Sequence, residues 1–174
     1  MSVYYTYLIS SLPMLNFSAK SPFSLEEFFV RCKNLIPEKE FEILRKLGNP
    51  EIYTAHLQKL VILKQWATFE VTLRNELVRA RAARKKIDPV KFLRLPDSPQ
   101  AQISHLAMAA YRSTSVLEAE KMLDQARWSF LEELNFGHYF DFDYLLIYGL
   151  KLKILERWDK IQKADKESLL NAAV

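Results

Sequence analysis

The chain has 174 residues, a length that suits one domain with its own hydrophobic core. Because 49% of the residues are hydrophobic, an intrinsically disordered chain is excluded. Only three residues are glycine, too few for the turns of a sheet protein or the phosphate loop of a nucleotide-binding enzyme. The net charge of +4 is concentrated in residues 70–94, which carry eight Lys and Arg against three Asp and Glu.

The N-terminal residues lack the basic group that opens a signal peptide. The longest apolar run, 144–150, is much shorter than the ~20 residues that cross a bilayer. Cys32 is the one cysteine, so no intramolecular disulfide can form, which suits a reducing compartment. We therefore expect a soluble cytoplasmic protein without a transmembrane segment.

The first third of the chain predicts two short helices. Residues 4–9 could form a few residues of strand. Ser24 and Glu27 have the spacing of a capping box, which predicts a helix to about Leu35. Pro37 suits the first position of a second helix, and Gly48 suits the position just past its end.

The longest helical pattern begins at Asn49-Pro50 and could run unbroken to Lys86. Its apolar residues fall on two nearly opposite faces, so the segment is either one helix between two layers or two pieces with different neighbours. We favour one long helix that changes partners midway. The segment 87–96, with two prolines, is then the main internal connection.

The last third predicts three further helices. Ser98-Pro99 begins one, and a second capping box at Ser115 begins the next, which ends near Gly137. Asp141 is a natural N-cap for a helix whose first two turns are apolar on every side, so we expect those turns to be core. A short tail helix should follow Asp165.

Together these signals predict an all-α fold, a single-domain helical bundle of about six helices with one very long helix. The domain spans 1–174, and sub-halves 1–86 and 97–174 could be joined by the loop 87–96.

We find no group of residues that suggests catalysis. The histidines His56, His105 and His138 lie on separate elements without a second ligand at helical spacing, so no metal site is predicted. The neighbouring carboxylates of 118–120 and 132–133 point apart on one helix instead of converging in an apolar cleft. We therefore expect a protein that is not an enzyme and has no cofactor, metal or small-molecule substrate.

A basic cluster at the end of the long helix is the main candidate site. It could be a solvated helix end, a contact for an acidic protein partner, or a nucleic-acid site. Two observations disfavour nucleic acid: no aromatic residue lies between the cations, and at 100° per residue the positions spread around the helix. The cluster consists of Arg74, Arg79, Arg81, Arg84, Lys85 and Lys86.

Two segments share a sequence pattern: bulky apolar residues are followed by Leu-Arg or Leu-Lys, and the segment ends in basic residues. They are WATFEVTLRNELVRAR (66–81) and FDFDYLLIYGLKLK (140–153). This pattern resembles the repeated helical element of the C subunit of V/A-type ATPases, called d in eukaryotes. In that resemblance Arg74 and Arg81 are the matching basic positions, with Lys151 and Lys153 as their counterparts, although that subunit is considerably longer than this chain.

The segments YYTYLISSLPML (4–15) and LKLKILERW (150–158) more closely resemble an uncharacterised bacterial family whose genes lie among V-type ATPase genes. The resemblance implies a non-catalytic accessory or C-like subunit of a rotary ATPase, which acts by protein–protein packing in ion-transport-coupled ATP hydrolysis or synthesis. Its partners would be other V/A-type ATPase subunits, and it would be peripheral at the inner membrane through the complex. Trp158, near the end of an apolar stripe, could anchor a partner. The alternative is a helical nucleic-acid-binding module that uses residues 74–86.

Overall fold

Our computed structural model describes residues 2–48, 60–95 and 99–172. Regular structure in these ranges is entirely helical, without a strand, which confirms the all-α prediction. Two short 3-10 turns, Lys46–Gly48 and Val90–Phe92, accompany the α-helices. The seven α-helices of the described ranges are α1 (Ser2–Ser11), α2 (Leu25–Cys32), α3 (Glu38–Arg45), α4 (Val61–Lys85), α5 (Ala101–Arg112), α6 (Val116–Leu134) and α7 (Phe142–Ala172).

The chain divides into two compact units. The terminal unit consists of 1–54 and 130–174, and the central unit consists of 55–129. The segment 87–96 lies within the central unit. That residues 1–174 form one domain, with sub-halves joined by this segment, stays a prediction.

The core of the terminal unit is built on α7, which packs against α2, α3 and the 46–48 turn. Leu145 and Leu146 are completely buried in the first turns of α7, and Ile147 and Tyr148 are nearly so. Gly149 lets the helices approach closely, since a Cβ at this position would lie 2.8 Å from Leu47 Cδ1. The prediction that the first two turns of α7 are core is confirmed.

Several predicted helix ends are present. Ser24 Oγ accepts a hydrogen bond from the Glu27 amide at 3.1 Å, and Ser115 Oγ accepts one from the Glu118 amide at 3.3 Å. Asp141 Oδ1 caps α7 by accepting from the Tyr144 amide at 2.9 Å. These side chains satisfy amide donors that the first helical turn leaves unpaired, which explains why the boundaries were readable from sequence.

The expected strand at 4–9 is wrong, because these residues belong to α1. Leu8 and Ile9 are buried, and Tyr5, three and four residues earlier, donates its hydroxyl hydrogen to a Glu40 carboxylate oxygen in α3. These three residues lie on one side of the helix, as a spacing of three and four residues requires.

Two predicted long-helix boundaries also require correction. Helix α4 begins at Val61 after an extended Leu60 (φ −90°, ψ 121°), so the helix does not run unbroken from Pro50; residues 49–59 lie outside the described part. Its 25 residues span about 37 Å. The predicted tail helix after Asp165 is not separate but part of the 31-residue α7, since neither glycine nor proline interrupts the chain there.

The central unit is organised by packing between α4 and α5. Glu76 on α4 is buried and accepts hydrogen bonds from Arg79 Nη1 and Ser104 Oγ, both at 2.6 Å. Arg127 on α6 contacts Glu70 at 2.7 Å and Asp124 at 2.8 Å. These pairings compensate the charges that the helices bury, and they hold α4 in a fixed orientation. No helix of the described ranges is both long and apolar enough to cross a membrane.

Candidate partner-binding groove

The basic end of α4 forms one side of an open groove on the central unit, with a volume of about 640 Å³. The segment that follows α4 forms the other side, and the last turn of α5 contributes a tyrosine. We call this feature the basic groove. Its lining contains the cations Arg74, Arg81, Arg84 and Lys85, which we call its rim, and Val78, Ala82, Ile87, Phe92 and Tyr111, which we call its floor and walls.

The helical repeat explains why α4 contributes both kinds of side chain. Residues 74, 78, 81, 82 and 85 follow each other at steps of four, three, one and three, so they share one side of the helix. The six cations spread around the helix as a set, but Arg74, Arg81 and Lys85 share this side, while Arg79 and Lys86 lie away from it. Arg84 joins the same groove from the edge of this stripe.

A buried amide holds the second wall in place. Asn75 is completely buried; its Nδ2 donates to the Arg94 carbonyl at 2.8 Å, and its Oδ1 accepts from the Arg94 amide at 2.9 Å. Arg74 Nη1 donates to the Phe92 carbonyl at 3.0 Å. Together these bonds fix the 90–94 backbone against α4, and this attachment positions Phe92 at the groove.

The turn after α4 has a defined geometry. Lys86 ends the helix in the left-handed conformation with φ 54°, and its amide bonds back to the helix carbonyls. Asp88 Oδ1 then accepts from the Val90 amide at 3.0 Å, which stabilises the 3-10 turn beside Pro89. Lys86 thus acts as a helix terminator and does not line the groove.

Two aromatic side chains flank the cations, although none lies between Arg74 and Lys86 in sequence. Arg84 Nη1 donates to the Tyr111 hydroxyl at 3.3 Å, and the Phe92 ring is 52% exposed. They come from the segment after α4 and from α5, so an argument along the helix alone could not include them. The one sequence signal was the apolar character of 90–95 between two prolines.

The electrostatic character of the basic groove is uniformly positive, since the described residues that line it include no carboxylate. Burial, together with the neighbouring cation of Arg94, lowers the pKa of Arg74. The hydrogen bond to the Tyr111 hydroxyl raises the pKa of Arg84. Both guanidinium groups stay charged at neutral pH, because the ordinary pKa of arginine is above 12. The groove can therefore receive an anionic group at its rim.

The other predicted site residues are placed elsewhere. Arg79 pairs with buried Glu76 and supports the packing of α4. In the terminal unit, Lys151 is buried and its ammonium lies 2.9 Å from Glu132 Oε1. Lys153 Nζ donates to the Leu47 carbonyl at 3.1 Å, and Trp158 is half-buried. Lys151 and Lys153 thus hold together elements of the terminal unit.

Ionisable side chains also lie close together at two other places in the terminal unit. A cavity of about 210 Å³ is lined in part by Tyr144, Tyr148 and the Lys151–Glu132 pair. At the start of α7, His138 Nδ1 lies 2.6 Å from Asp141 Oδ2. Burial is the main cause that raises the pKa of Asp143, and the nearby Asp141 charge adds to it while His138 opposes it.

No group of three or more His, Cys, Asp or Glu that could hold a metal is found in the described part of the chain. The basic groove offers cations and apolar surface together to a partner.

Comparison with known proteins gave a match to a protein family. Residues 107–173 match the family model described as Protein of unknown function (DUF2764). The matched segment contains the second half of α5 and all of α6 and α7, whereas α4 lies outside it. No curated protein and no solved structure matches the chain.

Proposed function

We propose that this protein is a non-catalytic accessory or C-like subunit of a V/A-type rotary ATPase, which acts by packing against other subunits. The observation that carries a protein-binding role is the basic groove, where exposed apolar side chains lie beside four cations without a carboxylate. Exposed apolar surface rimmed by polar groups marks interaction sites. The assignment to a rotary ATPase is supported by the resemblance of 66–81 and 140–153 to the C-subunit element and of 4–15 and 150–158 to the bacterial family.

In this role the protein passes force through contacts and performs no chemistry. Rigid helices with partly buried ion pairs, such as Arg127 with Glu70 and Asp124, suit that task because they resist deformation under load. The partners would be other ATPase subunits in the cytoplasm, and association with the inner membrane would occur through the complex.

Co-purification from the native cell tests this proposal. We expect a tagged full-length chain to retain rotary ATPase subunits through a salt wash, as judged by mass spectrometry against a tag-only control. A well-expressed, folded bait that enriches none of these subunits would reject the ATPase assignment.

A second candidate is a helical nucleic-acid-binding module that uses residues 74–86. Phe92 and Tyr111 favour it, because they place aromatic rings beside Arg74 and Arg84, as stacking sites for bases do. If it is correct, affinity for single-stranded DNA should fall steeply with salt, since each neutralised phosphate releases a counterion. We expect little binding at physiological salt, and tight salt-sensitive binding that is lost on charge reversal would favour this candidate.

A further inference from the structure

We infer that the basic groove binds an acidic amphipathic segment of a partner protein, with the apolar side chains of the segment on the groove floor and its carboxylates at the rim. The inference rests on the proposed role as a subunit that works by protein–protein packing, and it adds the site and the chemistry of the partner segment. Charge complementarity and the arrangement of apolar and cationic side chains carry it.

The floor of the basic groove requires an apolar occupant. Val78 and Ala82 line it from α4, and Phe92 lines it from the opposite wall. Phe92 and Ile87 are about half exposed, so the groove leaves part of their apolar surface in water. Covering that surface with aliphatic side chains of a partner is favourable, because burial of apolar area is the main driving force of association.

The rim requires carboxylates. Arg74 uses one donor on the Phe92 carbonyl and Arg84 uses one on the neutral Tyr111 hydroxyl, so neither bond compensates a charge. Arg81 and Lys85 are exposed on the same side of α4. A guanidinium has five N–H donors in a planar fork, and carboxylates accept from such a fork in a bidentate manner. Acidic residues on both edges of an apolar stripe would match this rim.

The same observations disfavour a polyanion or a lipid surface. The aliphatic part of the floor offers no hydrogen bond to a base or sugar, although a nucleic-acid strand could pair its phosphates with the rim. Ala82 is only 3% exposed and lies between the cations, so a flat bilayer would meet the rim without covering the floor. A narrow peptide segment can reach both.

Binding of designed peptides to the full chain tests the inference. The probe is a fluorescein-labelled peptide of about 18 residues, or five helical turns, with Leu on one face and Glu on both edges of that face. Its two controls replace Glu by Gln, or keep the composition and scramble the order so that no apolar face forms. By fluorescence anisotropy we expect both controls to bind at least about tenfold more weakly, because each removes one half of the complementarity.

Matched variants locate the binding on the protein. Arg81→Glu with Lys85→Glu reverses two rim charges, and Lys64→Glu with Lys121→Glu makes the same change at exposed lysines of the central unit that do not line the groove. We expect a loss of about tenfold or more in the first double variant and a change within about twofold in the second. A probe peptide with Lys in place of Glu should regain affinity for the first variant. Circular dichroism verifies that both variants fold.

Three outcomes would overturn the inference: equal binding of all three peptides, equal loss in both double variants, or tighter binding of single-stranded DNA or phosphatidylglycerol vesicles that the first variant abolishes. The proposed function fails separately. If the peptide binds at the groove but no ATPase subunits are captured, only the ATPase role is rejected. If the subunits are captured equally well by the Arg81→Glu, Lys85→Glu variant and the peptide does not bind, only the groove is rejected as the site.

Discussion

At the scale of single residues, the environment of Cys32 shows how burial controls reactivity. The side chain is completely buried in α2, and desolvation raises the pKa of its thiol to about 12. The nucleophilic form of cysteine is the thiolate, which this environment disfavours. Cys32 is therefore a core residue, and a redox role has no support from its surroundings.

We predict that Cys32 in the folded protein reacts with a disulfide reagent at pH 8 at least about a thousandfold more slowly than in the unfolded chain, where the thiol pKa is about 8.5. The release of chromophore, followed with and without guanidinium, measures both rates. Rapid stoichiometric reaction of the native protein would show that α2 opens readily and that Cys32 is accessible.

The buried leucines of α7 lead to a second prediction. Leu146 is completely buried, so Leu146→Ala should leave a cavity and lower the free energy of unfolding by about 2–5 kcal/mol. Leu95→Ala makes the same chemical change at a side chain that is 88% exposed, and we expect an effect within about 0.5 kcal/mol. Chemical denaturation of both variants provides the comparison. Equal effects would mean that α7 is not the core of its unit.

At the scale of elements, the attachment of the segment after α4 to that helix depends on the side chain of Asn75. Asn75 Nδ2 donates to the Arg94 carbonyl and its Oδ1 accepts from the Arg94 amide. An apolar residue at position 75 would leave the Arg94 amide and carbonyl without these bonds, and an aspartate would place a second acceptor against the carbonyl. The wall of the basic groove is therefore attached to α4 at this point.

We predict that Asn75→Ala releases this wall while the helices stay folded. Trypsin should then cleave after Lys86, Lys91 or Arg94 faster than in the unchanged protein, and the circular dichroism of the helices should be nearly the same. Limited proteolysis with mass spectrometry identifies the sites. The matched change is Asn16→Ala in the terminal unit, where Asn16 Oδ1 accepts only from the nearby Ser18 amide. Uniform acceleration at all basic sites would indicate global destabilisation instead.

At the scale of the whole molecule, the excess of positive charge comes from one region. Between residues 74 and 94, eight Lys and Arg face two Asp and Glu, and Glu76 is already paired with Arg79. Such a distribution speeds association with acidic partners without changing the fold.

We predict that the purified protein does not hydrolyse ATP. The cations of the basic groove could attract phosphates, but no carboxylate lies among its described lining residues to hold Mg²⁺ or position water. Phosphate release, measured with and without Mg²⁺ and compared with the Arg81→Glu, Lys85→Glu variant purified in parallel, checks this. Activity that co-purifies with the unchanged chain but is absent from the variant would contradict the non-enzymatic role.

The sequence alone determined the fold class and many helix ends, because both depend on local chemistry. Apolar periodicity identified the helices, and the side chains of Ser24, Ser115 and Asp141 satisfy neighbouring amides within the same turn. The few residues of strand that the sequence allowed at 4–9 are helical instead, as part of α1. Helix α4 begins after an extended Leu60, and no proline or glycine beside Leu60 marks this boundary in the sequence.

The tertiary structure decided which cations share a site and what lies beside them. A sequence shows Arg74 to Lys86 as one basic cluster, but only packing separates Arg79, which pairs with Glu76, from the cations of the groove. The aromatic rings of Phe92 and Tyr111 reach that groove because Asn75 holds one segment and α5 packs on α4. Such contacts join residues far apart in the chain, and their energies depend on positions that local propensity does not encode.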